Sequence, residues 1–261
     1  MRYSLIAALA IVFILSVAAT PGRAVVTNQA LYKLGEAGTV SGGSLLPQDS
    51  VSTHDFTMVS GSGNSIIASD RFNSTAAMRF NGAGYFNVDS DFVPSDNFAV
   101  EMWARVGNTN QTNNSFFTTA GGPANSTLKF HVHNGNWAAS LHNIAWIGGA
   151  GGAGQGITAN TWTHLAVVRN NGVSSFYIDG VAQTPSITQA PLTTLSLHMG
   201  VTPGGATRFF GDLDEVRIFT FDPNTDDPTA QLAINLPEPA TLSLVAVGGL
   251  TLLARRRRRV A

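Results

Sequence analysis

Glu101, Trp103 and Arg105 alternate along the segment Phe98 to Val106, and of all the residues in this chain they are the best suited to hold a polar ligand. In an extended strand every second side chain points the same way, so a carboxylate, an indole and a guanidinium fall in one row. The ring offers a platform for the C–H face of a sugar, and its charged neighbours can take hydroxyls. Catalysis has less support. Glycoside hydrolysis needs two carboxyl groups roughly 5 to 10 Å apart, yet between residues 25 and 236 the only glutamates are Glu36, Glu101 and Glu215. Glu101 has no acidic residue two positions away, and Asp212, Asp214 and Glu215 cluster elsewhere, so paired acids would have to meet across strands.

Other chemistry-bearing groups are weaker. His131 and His133 share the outward face of one predicted strand, and His142 falls on the same face of its partner if Asn134-Gly135 is the turn. That register sets His142 opposite Thr127, too far from His133 for one tetrahedral metal site, so a polar surface strand is expected. Gly149, Gly151 and Gly154 fit the spacing of a phosphate-cradling loop, which needs a strand before it and a helix after it. The continuation Gly156 to Trp162 reads instead as a loop running into a strand. With no cysteine in the chain, disulfides, thiolate catalysis and cysteine-bound zinc are excluded.

The two ends of the chain define how it travels. Arg2, the apolar run Leu5 to Ala19 and the small-residue site Gly22-Arg23-Ala24 form a signal peptide over residues 1–24, for signal peptidase to cut before Val25. At the other end stand Pro237-Glu238-Pro239, an apolar stretch over 240–254 and the arginines Arg255, Arg256, Arg257, Arg258 and Arg259. A helix of about 15 residues is only about 22 Å long, short for a hydrocarbon core of roughly 30 Å. The arginines should stay cytoplasmic, which leaves everything before Pro237 on the far side of the membrane. These three parts, in this order, resemble the bacterial PEP-CTERM sorting signal, which implies recognition by an exosortase-type membrane enzyme. The paired prolines force an extended backbone just outside the membrane, and cleavage is expected near Pro237.

Without its two ends the chain keeps 8 basic and 15 acidic residues, a net charge near −7. Such a body repels phosphate backbones, so no nucleic-acid partner is expected. Abundant Gly, Asn, Ser and Thr suit one large β-sandwich over 25–229, followed by a linker over 230–236. Phe98, Val100, Met102, Ala104 and Val106 recur at every second position. Leu128, Phe130 and Val132 alternate into Asn134-Gly135, while Trp137, Ala139 and Leu141 alternate out of it, the pattern of a hairpin. A second pair, Thr161 to Arg169 and Ser175 to Asp179, is joined across Asn170-Asn171-Gly172. Phe80, Phe98, Val100, Trp162, Ile178 and Ile218 are the expected core.

Ala30 to Glu36, Met78 to Gly82, Phe98 to Trp103, Trp162 to Ala166, Tyr177 to Gly180 and Gly211 to Phe219 together resemble, in order, the laminin G-like, concanavalin A-like jelly roll. The resemblance implies an all-β, two-sheet antiparallel sandwich, here flanked by an N-terminal signal helix and a C-terminal transmembrane helix. It also implies a concave face of the kind that relatives use for sugars or protein ligands, with Glu101, Trp103 and Arg105 as its candidate residues. Glycosidases of this fold carry a Glu-x-Asp-x-x-Glu spacing that is missing here. Asp214 matches the aspartate of the family's Gly-x-x-Asp-Glu-Val-Arg-Ile motif, which makes it either a hydrogen-bond partner of the Asn81-Gly82 turn or a candidate ligand for a structural calcium ion alongside a carbonyl of that turn. The expected function is a sorted cell-surface or matrix module, not an enzyme, that binds polysaccharide or matrix protein. A carbohydrate-active enzyme of the same fold and a self-associating matrix protein are the alternatives.

Overall fold

The computed structural model describes residues 26–71, 73–120, 127–141, 145–149, 156–189, 192, 195–202 and 208–235. The signal peptide, Pro237-Glu238-Pro239, the 240–254 stretch, the terminal arginines, His142 and most of the glycine run lie outside them. The chain begins with β1 (Thr27–Tyr32), β2 (Val40–Ser41), β3 (Leu46–Pro47), β4 (Met58–Ser60), β5 (Ser65–Ala68) and β6 (Ala76–Asn81). It continues through β7 (Tyr85–Val93), β8 (Phe98–Arg105), β9 (Asn114–Ala120), β10 (Leu128–His133), β11 (Asn136–Leu141) and β12 (Ala145–Ile147). Then come β13 (Thr163–Asn170), β14 (Val173–Ile178), β15 (Val181–Ala182), β16 (Ile187–Thr188), β17 (Leu195–Met199) and β18 (Phe210–Thr220).

These strands build the two-sheet antiparallel sandwich that the alternating pattern predicts. One sheet has nine strands in the order β15-β14-β13-β8-β18-β6-β5, with β1 also on β18 and β16 on β14. The other has seven, in the order β12-β11-β10-β9-β17-β7-β4. The predicted hairpins form with tight turns. Asn134 and Gly135 both take positive φ, 50° and 76°, and Asn171 and Gly172 do the same at 47° and 81°. This geometry matches the twist of the flanking strands, and asparagine and glycine tolerate it where β-branched residues do not.

The inward faces meet in one apolar cluster in which Phe80, Phe98, Val100, Ile178 and Ile218 are buried as expected. Trp162 is the exception. It has the parity of His164, opposite to core residues Leu165 and Val167, so it lies on the outside, where the Arg105 guanidinium sits 4.6 Å over its ring. A second correction concerns residues 230–235, read as a linker. Two short 3-10 turns, Thr229–Gln231 and Ala233–Asn235, lay this segment across the outer face of the nine-stranded sheet. Leu232 is fully buried there against Ala99, Ala166, Val168, Phe219 and Phe221.

Candidate functional site

On the outer face of the nine-stranded sheet, β8 lies between β13 and β18, so Glu101 sits opposite Ala166 and Arg217, and Trp103 opposite His164 and Asp214. Every charge on this face meets a partner. Glu101 is 1% exposed, with Oε1 2.7 Å from Arg217 Nε and Oε2 accepting from His164 Nε2 at 2.9 Å and from the Ala233 N–H at 2.8 Å. Arg105 joins Asp212 at 2.9 Å and Asp70 at 2.6 Å, and Arg79 holds the same Asp212 at 2.7 Å. Trp103 is wedged between the His164 ring, at 5.2 Å, and the Arg71 guanidinium, also at 5.2 Å. The expected ligand row therefore exists as a row, but Glu101 is sealed in an ion-pair network beneath residues 229–235 and Arg105 is committed to two aspartates. The row has the expected parity, and the segment that covers Glu101 comes from the C-terminal end of the described chain.

Asp214 departs from its expectation for a related reason. Its Oδ2 accepts from Arg71 Nε at 3.0 Å, and Arg71 Nη2 reaches Glu215 at 2.8 Å. Burial pushes the Asp214 carboxyl up to about 7 against the pull of that guanidinium. The Asn81 turn pairs with Phe210, four residues earlier on β18, too far along the strand to supply a shared ligand. Among the described residues no group of three or more His, Asp or Glu is placed to hold a metal. The positive charge beside Asp214 comes from Arg71.

The outer face of the seven-stranded sheet is different in kind. Phe130 and Val132 point inward from β10, so Lys129, His131 and His133 point outward, as the alternation predicts. His131 is not the surface residue that was expected: it is 2% exposed, and its ring stacks on Trp146 with centroids 4.9 Å apart and planes 24° apart. His133 also meets Trp146, at 4.7 Å. The sequence permits this through small residues. β11 runs between β10 and β12 and presents Ala138 opposite His131 and Ser140 opposite Trp146, which leaves room for the indole to lean across one strand. Burial, with Lys129 and His133 nearby, holds the His131 imidazole down to about 3, so it is neutral at physiological pH. Among the described residues, neither of its ring nitrogens has a partner, nor does the hydroxyl of buried Ser115 opposite it. A partly exposed indole backed by a buried imidazole offers a flat apolar platform of the size of a sugar ring. The spacing of His131 and His133 signalled the face, but nothing in the sequence fixed the register that brings Trp146 to them.

Two packed antiparallel sheets of this kind, one with a histidine and tryptophan group on its outer face, define a concanavalin A-like sandwich. The chain belongs to the concanavalin A-like lectin/glucanases superfamily: the laminin G family of that superfamily matches residues 80–226. Residues 235–259 match the PEP-CTERM protein-sorting motif. No curated protein matches the chain. Among solved structures it is similar to domain 4 of AbnA, a GH43 extracellular arabinanase from Geobacillus stearothermophilus, in complex with arabinotriose. That likeness has 21% identity and a TM-score of 0.55, covering 80% of this chain and 98% of that one. It is also similar to the botulinum neurotoxin serotype D binding domain, at 14% identity and a TM-score of 0.51, over 76% of this chain. The chain spans only 50% of that second structure. At these identities the likeness concerns the fold.

Proposed function

We propose that this chain is an exported surface module, released from its C-terminal tail by an exosortase-type enzyme, that recognises carbohydrate without transforming it. The observation that carries the binding half is the stacked group of Trp146, His131 and His133 on the outer face of the seven-stranded sheet. Support comes from the arabinanase domain, whose structure holds arabinotriose. The acids on the other sheet favour binding over hydrolysis, because Glu101, Asp212 and Asp214 are each held by an arginine.

Trp146→Ala should weaken polysaccharide binding by about tenfold, as expected for the loss of one aromatic platform. The melting temperature should change little, since the indole is only half-buried. Affinity electrophoresis of the full chain in detergent, with calorimetry for folding, checks this; unchanged mobility shifts would move the site elsewhere. For the sorting half, the mass of protein released from wild-type cells should correspond to a chain ending near Pro237. A released product that retains Arg255 to Arg259 would overturn the cleavage.

A further inference from the structure

On β9 to β12, the strands around Trp146, the titratable side chains are Lys129, His131 and His133 with no Asp or Glu, while Asp89 and Asp91 lie on β7 at the far end of the row. Trp146 lies opposite Ser140, Ser140 opposite Lys129, Lys129 opposite Thr118, Thr118 opposite His198 and His198 opposite Asn87, a single row across six strands. At about 4.8 Å per strand the row is roughly 24 Å long, with Lys129 about 10 Å from Trp146 along it. Lys129 is half-buried, and among the described residues it makes no hydrogen bond or ion pair. Burial alone depresses its ammonium, with no carboxylate pulling the other way. Among the described residues, the charged or titratable groups acting on neighbouring His131 are Lys129 itself and His133. On the opposite sheet, by contrast, Arg71, Arg79, Arg105 and Arg217 each meet a carboxylate.

A half-buried cation without a counter-charge is costly unless something supplies one. It stands out in a body whose net charge is near −7. Resting on the carbohydrate-binding reading above, we infer that this row takes an acidic polysaccharide, with a sugar ring on Trp146 and a carboxylate or sulfate group of a neighbouring residue on Lys129 Nζ. Ser140, which lies between Trp146 and Lys129 in the row, then has a sugar hydroxyl to bond, and the sugars run across the strands from Trp146 to Lys129.

The test sets a polyuronate, a sulfated polysaccharide and neutral arabinan against the full chain in detergent, by affinity electrophoresis at low salt and at about 0.5 M salt. At least one acidic polymer should bind more tightly than arabinan and lose that advantage in salt; whichever acidic polymer binds identifies the anionic group. Lys129→Gln should remove about tenfold of that affinity and leave arabinan unaffected, Lys129→Arg should restore it, and Lys33→Gln, at an exposed lysine, should change nothing. Calorimetry confirms that each variant is folded. Equal binding of all three polymers, or an unchanged Lys129→Gln variant, overturns the acidic ligand while leaving sugar recognition in place. Binding of none of the three overturns sugar recognition itself, and this inference falls with it.

Discussion

Glu101→Ala should lower the stability of the domain by about 3 to 5 kcal/mol, the usual effect of removing one partner from a buried charge network. Three donors converge on this carboxylate, and its removal leaves the Arg217 guanidinium, the His164 imidazole and the Ala233 N–H without their acceptor. His164 is fully buried, so water cannot easily replace what is lost. Glu101→Gln keeps the shape and one carbonyl oxygen but not the charge, and should fall between the alanine variant and wild type. The damage should spread to residues 229–235, because the Ala233 bond is one of the few polar ties that hold them to the sheet. Denaturant titration gives the energy, and hydrogen exchange at Leu232 and Ala233 reports the loosening. A loss below about 1 kcal/mol would mean that the network is dispensable and that Leu232 with the Arg217 bond to the Gln231 carbonyl holds the segment.

Acid should act on the opposite face. Unfolded, His131 takes a proton near pH 6.5; folded, it stays neutral down to about 3. The unfolded chain therefore binds the extra proton throughout that window, and the stability associated with this group is complete above 6.5 and lost as the pH falls toward 3. His131→Phe removes the titration while keeping a ring against Trp146. Wild type should lose about 3 kcal/mol relative to that variant between pH 7 and pH 4. Asp214 works in the other direction: its carboxyl is raised from 3.8 to about 7, so its contribution declines as the pH rises through that range. Both proteins carry Asp214, and its effect cancels in the comparison. A difference between the two that stays constant across this range would show that His131 titrates normally in the folded protein.

Much of the sandwich was legible because alternation is a local signal. The parity of Phe98 to Val106 sorted core from exterior, and Asn134-Gly135 fixed both a turn and a register. What alternation cannot show is whether an outward face stays open. Glu101 and Ala99 had the parity of surface residues, yet a segment more than a hundred positions later lies over them. Arg71 meets Asp214 across 143 positions, and no pattern near either residue announces the pair. The Trp146 group was missed for a smaller reason. Its three residues lie on strands separated by β11, and only the β11–β12 register, set beyond any recognisable turn motif, carries the indole to the histidines.

The docked 229–235 segment gives the molecule a front and a back. Ala233 is pinned to Glu101, and Pro237 is only four residues further on, so even an extended chain puts the first proline of the Pro-Glu-Pro triplet at most about 14 Å from that anchor. Whatever grips the tail must stand close to the nine-stranded sheet, with no stalk to let the body swing away. The Trp146 row lies on the other side of the sandwich, beyond the core, and so looks away from the holder. On the proposed function, sorting and recognition fall on opposite sides, so that a polymer could lie along the row while the tail is still held.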